Sequence, residues 1–247
     1  MLCATLQTFT PEHATNPAAL PDVWRASELA VSRAKTLTTG HPRLDAELPN
    51  KGWPQSSLVE LLLQQPGIGE LQLLKPMLAK LAKDQRIAFV QPPHIPSAMA
   101  FRSWGIDINR FLWIKAATTG DALWTTEQIL KNGSCGAVVF WQNNIRTESL
   151  RRLNLAAQST DTWFWLMRPL ASAAEASPAP LRLGLRPAAG GIAVEILKRR
   201  GPATDNLLFI PLSDMPAGRH PLNHENPAPV KYPSAVITAR NAAPVLV

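Results

Sequence analysis

The chain is predicted to have an α/β fold, in which a mostly parallel sheet is flanked by helices and ends in antiparallel edge strands. The first observation is that apolar runs typical of buried strands alternate with segments of helical spacing from Gly40 to Pro169. The second is that, after Pro169, three strands follow one another with only turns between them, and Gly190-Gly191 suits a hairpin. The parallel part therefore comes first, and the antiparallel part lies at the C-terminal end of the sheet.

Each element follows from its own pattern. The strands of the parallel part are nearly continuous apolar runs, as expected of strands covered on both faces, and they are predicted at Leu58–Leu63, Arg86–Val90, Phe111–Lys115, Gly136–Trp141 and Trp163–Met167. The helices show apolar side chains three or four residues apart, and they are predicted at Leu71–Leu81 with a kink at Pro76, at Pro96–Trp104, at Asp121–Lys131 and at Glu148–Gln158. An Ala/Ser/Pro loop, Leu170–Pro180, leads to the antiparallel strands Leu181–Leu185, Ile192–Lys198 and Leu207–Leu212.

The chain divides into four segments. They are a disordered arm at 1–19, an N-terminal interaction helix at 20–38, the core at 39–212 and a flexible tail at 213–247.

The N-terminal helix is placed at Pro21–Lys35, because Pro and Asp suit a first helical turn. Its apolar stripe makes Val23, Trp24 and Val31 the candidate partner-binding residues. Packing of the same stripe against the core is the alternative.

Composition narrows the class of protein. Among 247 residues there are 25 Lys and Arg against 18 Asp and Glu, so the formal net charge is +7. This excess is compatible with a polyanion or an acidic protein partner, but the cations are spread along the chain. Two cysteines and five scattered histidines supply neither a disulfide framework nor a metal site. Without a secretory signal or a bilayer-spanning apolar run, we expect a reduced cytoplasmic protein with no metal, no cofactor and no membrane contact.

The candidate functional element is a degenerate phosphate loop that directly follows the first long strand and consists of Pro66, Gly67, Ile68, Gly69, Glu70 and Leu71. In a working loop of the pattern G-x-x-x-x-G-K-[ST], a lysine neutralises the outer phosphates and a hydroxyl holds magnesium. With Gly69 as the second glycine, Glu70 stands at the lysine position and Leu71 at the hydroxyl position. A carboxylate pointing into that pocket repels a triphosphate. Taken alone, the six residues also fit an ordinary Pro-Gly turn between a strand and a helix.

Six runs of sequence then point to a known group of proteins. They are Leu20-Pro21-Asp22-Val23-Trp24-Arg25-Ala26, Thr39-Gly40-His41-Pro42-Arg43-Leu44-Asp45-Ala46-Glu47-Leu48-Pro49, Gly52-Trp53-Pro54, Glu60-Leu61-Leu62, Pro66-Gly67-Ile68-Gly69-Glu70 and Ile196-Leu197-Lys198-Arg199-Arg200-Gly201. In this order they resemble the ATPase core of the recombinase RecA and, more closely, its shortened relative ImuA of mutagenic translesion synthesis. The resemblance covers roughly residues 20 to 212 and implies a RecA-like P-loop core. The cell-division inhibitor SulA belongs to the same superfamily and is the rival, while the chain length and the Trp24 helix favour ImuA.

The resemblance implies a pseudo-ATPase and not an enzyme. RecA-like enzymes carry a water-activating carboxylate after the second of these strands, a magnesium-binding Asp after the fourth and a polar phosphate sensor after the fifth. The matching positions hold Pro93, Trp141-Gln142 and Leu166-Met167. His94 has no partner carboxylate nearby in sequence, so no catalytic residue is predicted.

Direct contact with DNA is expected to be weak or indirect. The resemblance to recombinases places two DNA-contacting loops at this edge, and here the first is shortened to Gln142–Thr147 while the second, Leu170–Pro180, has no Lys or Arg. Because phosphate contacts dominate nucleic-acid affinity, such loops bind poorly. The candidate DNA-binding side chains are Arg146, Arg151, Arg152, Arg168, Lys198, Arg199 and Arg200. Most of the eight tryptophans are expected in the core, with Trp24 and Trp53 as exceptions.

The function implied by the resemblance to ImuA is that of a non-catalytic adaptor in SOS-induced mutagenic translesion DNA synthesis. The implied partners are ImuB, an error-prone DnaE-type polymerase reached indirectly, and RecA as a further candidate. The alternative is a SulA-like protein that inhibits cell division by blocking polymerisation of the division GTPase FtsZ.

Overall fold

The structure, a computed structural model, describes residues 35–95, 97–202 and 206–212. The strands in this part are β1 (Thr36–Leu37), β2 (Trp53–Pro54), β3 (Leu58–Leu63), β4 (Ile87–Val90), β5 (Phe111–Ile114), β6 (Ala137–Trp141), β7 (Trp163–Pro169), β8 (Leu181–Ala188), β9 (Gly191–Lys198) and β10 (Leu207–Pro211). The α-helices are α1 (Pro42–Glu47), α2 (Glu70–Leu81), α3 (Ala98–Ser103), α4 (Thr119–Asn132) and α5 (Thr147–Gln158). Short 3₁₀-helices occupy Pro49–Lys51, Ile108–Arg110 and Leu170–Ala174.

Eight of these strands form one sheet in the order β10-β9-β8-β3-β7-β6-β4-β5. The six strands from β8 to β5 run parallel to one another. Strand β9 runs antiparallel between β8 and β10, and its hairpin with β8 turns at Gly190, as predicted. The expected α/β class, with a large mostly parallel sheet flanked by helices and an antiparallel C-terminal edge, is confirmed.

Helices cover the parallel part on both faces, which explains why its strands are apolar throughout. On one face, α2 packs through Leu74 and Leu78 against side chains such as Leu61 of β3. On the other face, α4 and α5 pack through side chains such as Leu130 and Leu153. Strands β3, β4 and β6 are buried at every residue, so the central sheet tolerates polar side chains only where they are paired.

Three local expectations need correction. Thr36 and Leu37 pair with β2, so the end of the predicted 20–38 helical segment is a short strand. The first half of the predicted loop Leu170–Pro180 is a 3₁₀-helix. Trp53, expected outside the core, is fully buried and meets Trp165 edge to face at 5.9 Å between ring centroids.

Several sequence-based expectations lie outside the described residues. These are the arm at 1–19, the helix from Pro21 to residue 34 with Val23, Trp24 and Val31, and the tail at 213–247. No helix within residues 35–95, 97–202 and 206–212 combines the length and apolarity needed to cross a bilayer.

Candidate functional site

The candidate phosphate loop lies at the carboxyl end of β3 and leads directly into α2. Gly67 and Gly69 adopt φ angles of +82° and +111°, a region that a residue with a Cβ rarely enters. Ile68 between them is buried, while Gly67 faces open space. The glycines therefore allow a tight turn that brings backbone amides to the N-terminus of the helix, the arrangement that commonly binds anions.

Glu70, the first residue of α2, occupies these amides with its own carboxylate. Its Oε1 accepts a hydrogen bond from Gly67 N at 3.0 Å, and its Oε2 accepts one from Gly69 N at 3.2 Å. The side chain is only 4% exposed. A negative group at this position also interacts favourably with the positive end of the helix dipole.

This geometry corrects the expected orientation of Glu70. The carboxylate does not point outward into a nucleotide pocket, but turns back and binds the loop that precedes it. A phosphate would have to displace a covalently attached carboxylate from the same donors, so the loop is already filled. The backbone N–H groups of Gly67 and Gly69 therefore already have an acceptor within the chain.

Packing also fixes the loop from the side of the antiparallel strands. A Cβ placed on Gly69 would lie 2.4 Å from Cδ1 of Leu212, just after β10. Gln64, the first residue after β3, donates its backbone N–H to Leu185 O of β8 at 3.0 Å. Residues of the C-terminal strands therefore pack against the loop.

The other positions compared with catalytic residues also lie at the carboxyl edge of the sheet. Pro93 lies exposed in the turn after β4, whereas Trp141, Leu166 and Met167 are buried in the two faces of the sheet. His94 is exposed. The described residues bring together no group of three His, Cys, Asp or Glu side chains that would suit a metal ion.

Arg168, a candidate DNA contact, instead belongs to a buried ion network, and this expectation is wrong. Its guanidinium lies 3.3 Å from Glu60 of β3 and 2.6 Å from Glu175, and its side chain is 1% exposed. Arg182 of β8 contacts the other oxygen of Glu60 at 2.5 Å. Glu60 is thus held between two arginines in the middle of an apolar strand. A side chain enclosed in this way cannot reach a DNA backbone.

The network also fixes the segment after β7. Arg182 donates hydrogen bonds to the carbonyl oxygens of Ser172 and Ala173, which belong to the 3₁₀-helix. The hydrogen bond from Arg168 lowers the pKa of the Glu175 carboxyl, and nearby positive charge adds to the shift. The segment that corresponds to the second DNA loop is therefore tied to the sheet by charged side chains.

The remaining basic candidates do not form one surface. Arg146 precedes α5 at the carboxyl edge. Lys198 ends the antiparallel strand β9 at the amino edge, and Arg199 and Arg200 follow it there. Arg199 is paired with Glu47 at 3.1 Å, and Lys198 donates to the carbonyl of Ser177.

On the helical face, Arg152 pairs with Glu127 of α4, and Arg151 is exposed beside it. Hydrogen bonds from Lys131 and Arg152 lower the pKa of Glu127. Arg152 is therefore part of an interhelical ion pair, and Arg146 and Arg151 remain exposed on or beside α5.

Sequence reasoning missed Glu60, Arg182 and Glu175. The signal for Glu60 was present, because a carboxylate inside the run Leu58-Val59-Glu60-Leu61-Leu62-Leu63 of a buried strand requires a cationic partner. Its partners stand 108 and 122 residues away, so only the fold identifies them.

A groove of about 420 Å³, lined by Ser57, Asn154, Asp161 and Arg200 among others, lies at the amino edge of the sheet. It is therefore at the opposite edge from the phosphate-like loop. Ser57 Oγ is buried there without a hydrogen-bond partner among the described residues. No sequence motif marks this groove, since its walls come from distant segments.

Comparison with known proteins decides between the two families that the sequence suggests. No family model matches the chain. The cell division inhibitor SulA of Edwardsiella piscicida is 30% identical to it over 120 residues, which are 47% of this chain and 70% of that protein. This chain belongs to the SulA family. A solved structure of SulA from Pseudomonas aeruginosa is 24% identical, with a TM-score of 0.38, and covers 45% of this chain and 97% of that one.

Membership of the SulA family overturns the preference for ImuA. The expected role in translesion synthesis is therefore wrong. ImuB, the DnaE-type polymerase and RecA follow as partners only from the resemblance to ImuA, and they lose their basis with it.

Proposed function

We propose that this SulA-family chain inhibits cell division during the SOS response to DNA damage by binding the division GTPase FtsZ and blocking its polymerisation. The observation that carries the proposal is the 30% identity to a cell division inhibitor over 70% of that protein's length. The mechanism is recognition of a protein surface, without turnover of ATP.

The geometry of the loop supports a mechanism without ATP. Glu70 fills the amides of Gly67 and Gly69, and a hydrophobic side chain, Leu71, takes the place of the magnesium-binding hydroxyl. The fold therefore keeps the shape of a nucleotide-binding turn and replaces the nucleotide by a side chain. Such a chain acts by occupying its partner in a stoichiometric complex.

Purified protein tests this proposal directly. FtsZ polymerisation is followed by light scattering, and GTP hydrolysis by phosphate release, while the chain is titrated from sub-stoichiometric to excess amounts. Binding without turnover predicts that both signals fall in proportion to the amount of chain added and are lost as it approaches a one-to-one ratio with FtsZ, and that added ATP changes neither. No inhibition at a severalfold excess contradicts the proposal, and inhibition at catalytic amounts that requires ATP contradicts the mechanism.

Expression in a rod-shaped bacterium supplies the cellular test. Cells that produce the chain are expected to form filaments with segregated nucleoids and without septa. Expression of an unrelated protein at the same level is the control for overproduction. Normal division at intracellular levels above those of FtsZ would rule the function out.

A further inference from the structure

The groove at the amino edge of the sheet has the size of a ligand site. Its volume of about 420 Å³ lies within the range of roughly 300–1,000 Å³ that is typical of such sites. Its walls come from the segment around β2, the C-terminal half of α5 and the loop that enters β8. We call it the amino-edge groove, and the lining residues used below include Ser57, Asn154, Gln158, Pro178, Pro180 and Leu181.

Hydrogen bonds join the walls of the amino-edge groove into one rigid surface. Asn154 of α5 accepts a hydrogen bond from Leu58 N at 3.2 Å, and the Ser56 hydroxyl donates to the carbonyl oxygen of Thr160 at 2.6 Å. Ser56 also has a φ of +55°, a region that a residue with a Cβ rarely enters. Such a conformation persists where the surrounding structure fixes it, often at binding sites. The shape of the groove is therefore set before any ligand arrives.

The floor of the groove offers hydrogen-bonding groups of the kind that pair with a peptide backbone. Ser57 Oγ is buried and has no hydrogen-bond partner in the described part of the chain. The oxygen of Asn154 already accepts from Leu58 N, which leaves its NH₂ group as a donor. Gln158 adds an exposed amide one turn further along α5. A buried hydroxyl without a partner costs free energy, and a ligand that bonds to Ser57 removes that cost.

Apolar side chains border these polar groups on both sides. Pro178, Pro180 and Leu181 supply the wall on the side of β8. Leu155, which is 64% exposed, precedes Gln158 by three residues on α5, so their Cβ atoms are roughly 5–6 Å apart. A ligand in the groove therefore meets apolar surface as well as hydrogen-bonding groups.

The charge around the groove is predominantly positive. Lys35 and Arg200 line it, and Lys198 borders it through a 2.8 Å hydrogen bond to the carbonyl oxygen of Ser177. Asp161 is the one carboxylate among the described residues that line it. Asp161 lies 3.5 Å from Lys35, but both side chains are about three-quarters exposed, and exposed pairs of this kind contribute little. The excess of cations fits a ligand that carries carboxylates.

These properties favour a peptide over a single strand of nucleic acid. The described residues that line the groove include no aromatic ring on which a base could stack. We infer that the amino-edge groove binds an extended peptide segment of another protein, in which apolar side chains stand next to carboxylates. The peptide backbone pairs with Ser57 and Asn154, its apolar side chains pack on Leu155 and the prolines, and its carboxylates lie near Lys35. The inference goes beyond the proposed function, because this second binding site does not require FtsZ.

The test selects a phage-displayed library of random 12-residue peptides on the full chain. The enriched peptides are then synthesised with a fluorescent label, and their affinity is measured by anisotropy in the absence of FtsZ. They are expected to combine Asp or Glu with apolar residues. Leu155→Glu should weaken their binding about tenfold or more, whereas Met99→Glu, at a 73% exposed apolar position of α3, is the matched control and should change it less than about twofold. Lys35→Glu should weaken binding and reduce its dependence on salt between about 50 and 300 mM.

Ser57→Ala examines the floor of the groove separately. It should weaken peptide binding about threefold or more and leave the melting temperature unchanged or slightly higher, because it removes a buried hydroxyl that lacks a partner. A melting temperature lower by several degrees would mean that another part of the chain bonds to Ser57 and fills the groove, which overturns the inference.

The remaining outcomes also decide the question. A selection that enriches no peptide overturns the site, and so do peptides that bind Leu155→Glu and the unaltered chain equally. Single-stranded DNA that binds more tightly than every selected peptide, and loses its affinity in Lys35→Glu, would make the groove a nucleic-acid site instead. None of these results depends on whether the chain inhibits FtsZ, so the proposed function is tested independently.

Discussion

Gly67 N donates a hydrogen bond at 3.0 Å to Oε1 of Glu70, the carboxylate that begins the following helix. The chain thus supplies, from within, the negative group that a nucleotide-binding loop receives from its ligand. Because the group is covalently attached, the turn is ordered without any bound anion. The backbone amides of Gly67 and Gly69 are bonded within the chain, and the turn joins β3 to α2.

ATP is expected to bind more weakly than a dissociation constant of about 100 μM, which corresponds to roughly 5.5 kcal/mol of binding free energy. The reason is that Glu70 occupies the loop amides and Leu71 offers no ligand to magnesium. Calorimetric titration with magnesium and a non-hydrolysable ATP analogue measures this constant. A tighter constant, abolished by mutation of the loop, would contradict the filled-loop geometry.

Glu70→Gln is expected to lower the free energy of unfolding by about 1–3 kcal/mol, because one hydrogen-bonded oxygen becomes an NH₂ group that faces a backbone donor. Thermal unfolding should show a melting temperature lower by several degrees. Glu148→Gln, an exposed carboxylate in the first turn of α5, is the matched control and should change stability by less than about 0.5 kcal/mol. Equal stability of the two variants would mean that Glu70 contributes nothing to the loop.

Arg168→Ala is expected to cost about 3 kcal/mol or more of unfolding free energy, since it leaves buried Glu60 with one of its two cations. Arg151→Ala, at an exposed position of α5, should cost less than about 0.5 kcal/mol. Urea unfolding of both variants makes the comparison. If Arg168→Ala had normal stability but lost DNA binding, Arg168 would be a DNA contact after all.

Stability is expected to fall as the pH falls below about 5, in part because of Glu175 and Glu127. Cationic partners lower the pKa of both carboxyls below an ordinary value of 4.5. A group whose pKa is lower in the folded state stabilises that state above its unfolded pKa, and this stabilisation is lost as the pH falls through the folded pKa. Urea unfolding between pH 7 and pH 3 measures the effect. Glu175→Gln should make the free energy of unfolding depend less steeply on pH. An unchanged dependence would show that Arg168 does not favour the ionised Glu175 carboxylate over the protonated form.

Binding to single-stranded DNA is expected to be micromolar or weaker at about 150 mM salt. The basic side chains lie at two edges of the sheet and on helix α5. Arg152, Arg168 and Arg199 form ion pairs with carboxylates of the chain itself. Fluorescence anisotropy with a labelled oligonucleotide provides the measurement. Nanomolar affinity under these conditions would require a basic surface that the described residues do not form.

The fold class could be predicted from the sequence because local patterns of apolar residues and turn glycines indicate most of its strands and helices. Leu58–Leu63 and Trp163–Met167 are apolar throughout, as a strand covered on both faces must be, and both are strands in the structure. The glycines at 190 and 191 mark the hairpin because few other residues accept the turn. The family was less accessible, since RecA-like, ImuA-like and SulA-like chains share these patterns. The choice of ImuA relied on length and on an N-terminal helix, whereas the identity to a SulA protein extends over 120 residues.

By itself, the sequence determined the order of the strands and helices from Leu58 onward, the position of the glycine-bearing turn, and the presence of Glu70 and Leu71 directly after it. Those properties depend on neighbouring residues and on residue type. Only the tertiary structure decided that Glu70 turns back onto the loop, that Arg168 is enclosed by Glu60 and Glu175, and that Met99 remains outside while Phe101 is buried. The physical reason is that a side chain's direction and its distant partners depend on how the sheet and helices pack, and no local pattern encodes contacts across 108 residues.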